Sequence, residues 1–194
     1  MISIEQIKQL RDETELSISE VKKALEEAGG DLVKAKEILK ALGKKMVGKK
    51  ADREVNQGII DTYLHSNNKT GVLLDIRCES DFVAKGPDFK ALAHEICLQI
   101  VAMKPLFVSE NVIPADILDN EIKIYTQQVL ESKKPEAIAK QIIEGKLKKY
   151  KDSVCLLSQV WVKDDTKTVK NLIEDAVGKV GENIEVKKFA RFEI

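Results

Sequence analysis

The chain holds three cysteines and two histidines, so residues able to do nucleophilic or metal chemistry are few. His94 and Cys97 fall three apart within one helical pattern, which places imidazole and thiol as neighbours on a helix face. Such a couple attacks a substrate only if the thiolate is stabilised and a third group orients the base. The ordinary assignment is a small core residue, Cys97, beside a surface histidine, His94. His65 stands at a hairpin tip. No C-x-x-C, no H-E-x-x-H and no clustered carboxylates on apolar ground are present, so no metal site is expected. Gly43-Lys44-Lys45 lacks the upstream glycine and the hydroxyl of a phosphate-binding loop. The sequence therefore predicts a chain that is not an enzyme and needs no cofactor, with a thiol enzyme on Cys97 or Cys155 as a rival.

A different chemistry, contact with a partner, is carried by Asp75-Ile76-Arg77-Cys78-Glu79-Ser80-Asp81-Phe82-Val83-Ala84-Lys85. Val72, Leu74, Ile76 and Cys78 alternate with Leu73, Asp75, Arg77 and Glu79, a strand with one largely charged face. Ser80 or Asp81 can then cap a short helical turn, which Gly86-Pro87 ends within about one cycle. Phe82 thus sits between a strand end and a helix start. One reading packs it in a connector. The other points it outward as an anchor that enters a partner's pocket, as aromatic residues do at interfaces.

The elements that must position this turn follow from periodicity. Ile4, Ile7 and Leu10 mark a first helix, and Ile18, Val21, Ala24, Leu25 and Ala28 a second. Gly29-Gly30-Asp31 stops the second and caps a third, carrying Leu32, Ala35, Ile38, Leu39 and Leu42. Residues 1–45 make a three-helix bundle of the ubiquitin-associated kind, too small to be more than a docking module. Gly43 to about Asn56 reads as a basic solvated hinge, assigned as a linker at 46–56 and lacking the interleaved aromatics that stack bases. Residues 57–194 then form an α+β core. Ile60, Thr62 and Leu64 alternate with Asp61, Tyr63 and His65, and Asn67 to Gly71 is hairpin chemistry.

Beyond the turn, Asp88 opens a long helix whose core stripe is Phe89, Leu92, Ala93, Ile96 and Ile100. Two more helices carry Ile117, Ile124, Tyr125 and Val129, and Ile138, Ile142, Ile143, Leu147 and Tyr150, with Pro135 in the first turn of the second. Leu156 to Val162 reads as extended. Val169 to Val180 is the last helix, closed by Gly181. A final strand runs from Ile184 to Ile194, irregular near Lys188-Phe189. The fold class is α+β: the bundle, then an antiparallel three-stranded sheet covered by helices.

Composition bounds the partners. Thirty-two basic and 32 acidic side chains balance across 194 residues, so no global charge favours nucleic acid. No apolar run is long enough to span a bilayer, and no signal peptide is expected. An odd cysteine count argues against a secreted disulfide framework, so the expected compartment is the cytoplasm.

Two stretches resemble the signatures of the elongation factor Ts family. Leu10-Arg11-Asp12-Glu13-Thr14-Glu15 through Lys22-Lys23-Ala24-Leu25 is similar to L-R-x-x-T-G-x-x-x-x-x-x-K-x-A-L, with Glu15 in the glycine position. Asp75 to Lys85 resembles E-x-N-x-x-T-D-F-V-A-K, with Asp75, Arg77 and Ser80 as departures and Asp81 to Lys85 as matches. Lys134-Pro135-Glu136, Val154 to Leu157, Val162 to Asp165, Lys167 to Val169 and Phe189 to Glu193 also fit. The resemblance implies a guanine-nucleotide exchange factor for elongation factor Tu. Phe82 would be a wedge with Asp81 its polar neighbour, flanked by Ser80 and Val83, disturbing the partner's magnesium and phosphate sites so that GDP leaves. Leu10, Arg11, Thr14, Lys22 and Lys23 would serve docking of the bundle. Long members of the family carry two similar core halves and a helical hairpin. This chain has room for one half, so a homodimer is expected, with residues 57–194 as its dimerisation domain. A ubiquitin-associated-type scaffold without exchange activity is the alternative.

Overall fold

In the amino-terminal bundle, apolar residues at helical spacing close on one another. The computed structural model describes residues 2–14, 18–50, 52–130 and 135–194. Helices α1 (Ile4–Thr14), α2 (Ile18–Glu27) and α3 (Leu32–Lys50) enclose Leu10, Val21, Ala24, Leu25, Ala35 and Leu39. Ser3 and Gln6 form a reciprocal capping box at the start of α1: the Gln6 N–H donates to Ser3 Oγ (3.1 Å) and the Ser3 N–H to Gln6 Oε1 (2.9 Å). Gly29 and Gly30 take positive φ, and Asp31 Oδ1 accepts from the N–H groups of Val33 and Lys34, as the Gly-Gly-Asp pattern predicts. The expected hinge at Gly43 is not there: α3 continues through Gly43 and Gly48 to Lys50. Once a helix is nucleated each added residue needs only propagation, and the lysines here are good helix formers, which offsets about 1 kcal/mol per glycine.

The sheet has strands β1 (Gln57–Leu64), β2 (Thr70–Cys78) and β5 (Ile184–Glu193) in the order β1-β2-β5, all antiparallel. The β1–β2 hairpin closes through the His65 N–H donating to Thr70 O (2.9 Å), with Asn68 at φ 56. Asparagine tolerates that left-handed conformation. The Ile194 N–H donates to Lys69 O (3.0 Å), laying the end of β5 beside the start of β2. Because β2 is central, its charged face is less open than alternation suggests, and Asp75 is only 7 % exposed. In β5 the burial alternation changes phase at Lys187-Lys188, the irregularity expected there.

Between the strands lie α4 (Asp81–Lys85), α5 (Pro87–Met103), α6 (Ala115–Leu130), α7 (Glu136–Val154) and α8 (Val169–Val180). The predicted stripe of α5 is buried throughout, and α6 packs on α7. Pro135 is the residue before α7 rather than part of its first turn. The stretch Leu156 to Val162 is extended only at its end. Leu156–Ser158 is a 3-10 turn, and β3 (Val160–Trp161) pairs antiparallel with β4 (Asp164–Thr168) in a second small sheet. That hairpin is tied down by buried amides that periodicity does not reveal. Gln99 Nε2 donates to Val160 O (3.0 Å), Gln99 Oε1 accepts from the Val162 N–H (2.9 Å), and Gln159 Nε2 donates to Ser153 O (2.7 Å).

Compactness groups segments distant in sequence. One unit comprises Met1–Ile59, Ile76–Leu92 and Asn171–Glu185, and the other Ile60–Asp75, Ala93–Lys170 and Val186–Ile194. In the first, Gly58 has φ +152, and a Cβ there would fall on the Ile76 carbonyl oxygen and 2.8 Å from Arg77 Cα. Both neighbours are backbone, so the clash has no flexible end to yield. Gly58→Ala is therefore expected to destabilise the chain by about 1–3 kcal/mol, the usual cost of overpacking, read as a fall in the urea midpoint. An unaltered midpoint contradicts this close approach.

Candidate partner-binding site

The site starts where β2 runs out. Ser80, at φ −122 and ψ 154, leaves the strand and caps α4, its Oγ accepting from the Val83 N–H (3.3 Å). The Ala84 N–H donates to Ser80 O (3.2 Å), and Cys78 Sγ donates to the same oxygen (3.1 Å). Gly86 ends the turn with its N–H on Val83 O (2.9 Å), and Pro87, which fixes its own φ, begins α5. Both the cap and the stop are those the sequence predicts.

One side of this short helix is anchored and the other is bare. Ala84 is 3 % exposed and Phe82 is 84 % exposed. The outward orientation is therefore the one adopted, and the connector-packing alternative fails. Val83 is half-buried, and Ser80 is too. Asp81 is exposed and paired with Lys85 Nζ at 2.7 Å. That hydrogen bond, then the charge of the same ammonium, holds the Asp81 carboxyl below the usual carboxylate range. Exposed pairs of this spacing contribute little to stability, so the carboxylate is easily transferred to another cation. Phe82, Val83, Lys85, Pro87, Phe89 and Val180 line a cleft of about 520 Å³ beside the ring.

Behind the turn stand Glu182 and Asn183, which the sequence did not single out. Ser80 donates twice to the Glu182 carboxylate, its N–H to Oε2 (2.9 Å) and its Oγ–H to Oε1 (2.6 Å). In return the Asn183 N–H donates to Glu79 Oε1 (2.7 Å), which also accepts from Arg53 Nη1 (3.4 Å). Asn183 Nδ2 closes the set on the Arg53 carbonyl (3.0 Å). All of these residues belong to the first unit. A separation of 102 residues between Ser80 and Glu182 leaves no local pattern from which to infer the pairing.

The bundle residues divide. Leu10 is fully buried in the bundle core, so it holds the helices together and cannot contact a partner, a correction to the docking role expected for it. Thr14 is half-buried and its hydroxyl donates to Leu10 O. Arg11, Lys22 and Lys23 are exposed, Lys22 lying 3.9 Å from Glu26. Glu15, Leu16, Ser17 and Lys134 lie outside the described residues.

The reactive side chains are poorly placed for chemistry. Cys78, Cys97 and Cys155 are all buried. Burial, then the Asp61 carboxylate to which its Sγ donates (3.9 Å), pushes the Cys97 thiol up to about 12. Burial also raises Cys78 and Cys155. His94 is exposed and meets Tyr63 edge-on with centroids 5.6 Å apart, while Tyr63 OH lies 3.2 Å from His65 Nδ1. Among the described residues no three of His, Cys, Asp and Glu are placed to hold a metal ion, and no helix is long and apolar enough to cross a membrane.

A family model described as Elongation factor TS matches residues 4–194. The chain belongs to the elongation factor Ts family. Proteins named Elongation factor Ts from Thermotoga petrophila and Rubrobacter xylanophilus are 49 % and 46 % identical to it, over 100 % and 98 % of this chain and 96 % and 98 % of their own lengths. One from Anaeromyxobacter dehalogenans is 44 % identical over 98 % of this chain and 87 % of its own. The elongation factor Ts match makes the chain a translation elongation factor and supports its α+β fold class.

With three buried thiols, all held protonated, this member of the family is expected to react slowly with a thiol reagent at pH 7–8 and to release all its reactivity on unfolding in denaturant. Rapid titration of a native cysteine contradicts that.

Proposed function

We propose that the chain is a guanine-nucleotide exchange factor for elongation factor Tu, acting in the cytoplasm, and that Asp81 and Phe82 are the residues that enter its nucleotide-binding domain. The observation that carries the reading is the exposed ring of Phe82, 84 % accessible on a turn whose other side is buried. A soluble fold leaves so large an apolar side chain in water at a cost, and its release on docking is a source of binding energy. Val83 supports the ring, Ser80 holds the turn, and Asp81 brings a carboxylate whose present cation is easily exchanged.

The mechanism needs no reactive group of this chain and no cofactor. Magnesium bridges phosphates in nucleotide sites of the partner's kind, and displacing it weakens the hold on GDP. An exchange factor must bind the empty partner more tightly than the loaded one. Reciprocity then obliges it to weaken nucleotide binding by the same factor. In this reading the bundle docks through the exposed Arg11, Lys22 and Lys23, with Thr14 and Leu10 supporting them from within. No direct contact with nucleic acid is involved.

Labelled GDP release from elongation factor Tu tests the reading. Burial of a phenyl ring is worth about 1.5–3 kcal/mol, so Phe82→Ala is expected to slow release roughly ten- to hundredfold with the fold retained. A variant without cysteines should stay active. An undiminished rate for Phe82→Ala removes the wedge, and binding without any acceleration favours the ubiquitin-associated-type scaffold instead.

We also propose a homodimer. Asp61 and Tyr63 of β1 meet Cys97 and His94 of α5, so alternation turns Ile60, Thr62 and Leu64 to the opposite face of the sheet. Leu73 of β2 falls on that face as well, and so does Phe192 of β5, since Arg191 reaches inward to the Val101 carbonyl. Ile60, Leu64, Leu73 and Phe192 are all exposed, an apolar sheet face of the kind that a second copy covers. Sedimentation at micromolar concentration should give a dimer, and Phe192→Lys should shift it toward monomer. A monomeric wild-type chain counts against the dimer.

A further inference from the structure

We propose that Glu182 is a positioning residue for nucleotide exchange, acting on Phe82 through Ser80. The inference rests on the exchange reading above and names the residue that aims its wedge. A five-residue helix has no stability of its own, because helix nucleation is costly and too few bonds follow it. The direction of α4 must therefore be imposed from outside. Its carboxyl end gives the buried Ala84, the Gly86 stop and the Pro87 start, and its amino end supplies the rest.

At that end the Glu182 carboxylate accepts both donors of Ser80, the N–H at 2.9 Å and the Oγ–H at 2.6 Å. A hydroxyl has one hydrogen and two lone pairs. With its hydrogen committed to Glu182, Ser80 Oγ is left to accept from the N–H of Val83, the residue after Phe82 in α4. Glu182 thus fixes both the position of the cap and the rotation of its hydroxyl. It is itself fixed, because Gly181 ends α8 with φ +81 and the next residue, Asn183, is held by Glu79 and by the Arg53 carbonyl. Each of the two segments lends a carboxylate to the other's backbone N–H: Glu79 to Asn183 and Glu182 to Ser80. Such charge-assisted bonds are the strong ones, and two in opposite senses resist both sliding and rotation. The Glu182 carboxylate takes up both donors of Ser80, so its route to Phe82 runs through the cap.

Positioning of this kind acts on the distorted state of the partner, not on initial docking, and so governs the maximal rate rather than the concentration dependence. GDP release from elongation factor Tu is measured against concentration of the full chain for wild type, Glu182→Gln, Ser80→Ala, the double variant and Phe82→Ala. Glutamine offers one acceptor oxygen in place of two and adds donors that compete for Ser80 Oγ. Glu182→Gln is expected to lower the plateau roughly tenfold, the size of one charge-assisted hydrogen bond, with the half-saturating concentration within about twofold of wild type. Ser80→Ala should do the same, and the double variant should be no worse than Ser80→Ala alone.

Multiplying losses in the double variant overturn the inference, since the residues then act separately. A plateau kept with a raised half-saturating concentration also overturns it, because that is what a smaller folded fraction does. If Phe82→Ala loses rate and Glu182→Gln does not, the inference fails and the exchange reading stands. If wild type itself gives no acceleration, the exchange reading fails and takes the inference with it.

Discussion

A phenyl ring kept in water has to be held there against its tendency to fold back onto apolar surface. The constraint that organises this part of the chain is therefore polar: the double hydrogen bond from Ser80 to the Glu182 carboxylate, returned by the bond from Asn183 to Glu79. Of the five residues of α4 only Ala84 is buried. The hydrophobic effect has no direction and cannot by itself choose where a five-residue helix points. Hydrogen bonds with fixed donors and acceptors can, which is why the turn carrying the exposed ring is backed by carboxylates and not by a larger core.

The same logic explains which parts of the fold were legible in the sequence. The bundle, the β1–β2 hairpin, the α5 stripe and the close of α8 at Gly181 all follow from short-range rules, whether a 3.6-residue period, a 2-residue period, a cap or a left-handed glycine. The stop at Gly86-Pro87 and the cap at Ser80 were legible for that reason. So was the possibility that Phe82 points outward, although alternation alone left it open. Where nearby residues send mixed signals, local rules misled. Gly43 and Gly48 read as breakers, yet α3 absorbs both because its helix is already under way. Asp75 reads as solvent-facing, yet β2 is the central strand of the sheet.

What stayed hidden was the long-range polar chemistry. Glu182 and Asn183 look like an ordinary turn after a helix, and only the fold brings them to Glu79 and Ser80. Gln99 and Gln159 look like surface amides on a helix and a loop, yet they are buried and fix the β3–β4 hairpin, which periodicity also missed. Leu10 shows the reverse error. It opens a signature that resembles a docking motif, and its position in that motif suggested contact, whereas its burial gives it a packing role. Within that one signature Leu10 is buried while Arg11, Lys22 and Lys23 are exposed, a difference that only the fold reveals.

That separation also bears on the exchange role proposed for the turn. The outer part of the turn is cheap to rearrange: Asp81 is paired with Lys85, four residues on, and both are open to solvent. The inner part is costly to rearrange, since moving Ser80 would leave the Glu182 carboxylate and two donors unpaired at once. In the exchange role proposed above, a tip that swaps partners easily on a base that does not move would convert docking energy into displacement of whatever occupies the partner's site. If the base were as loose as the tip, the ring would yield before the nucleotide did, and binding would occur without exchange. In that proposal the two carboxylates behind the turn, and not the ring alone, would distinguish a wedge from an exposed hydrophobic side chain.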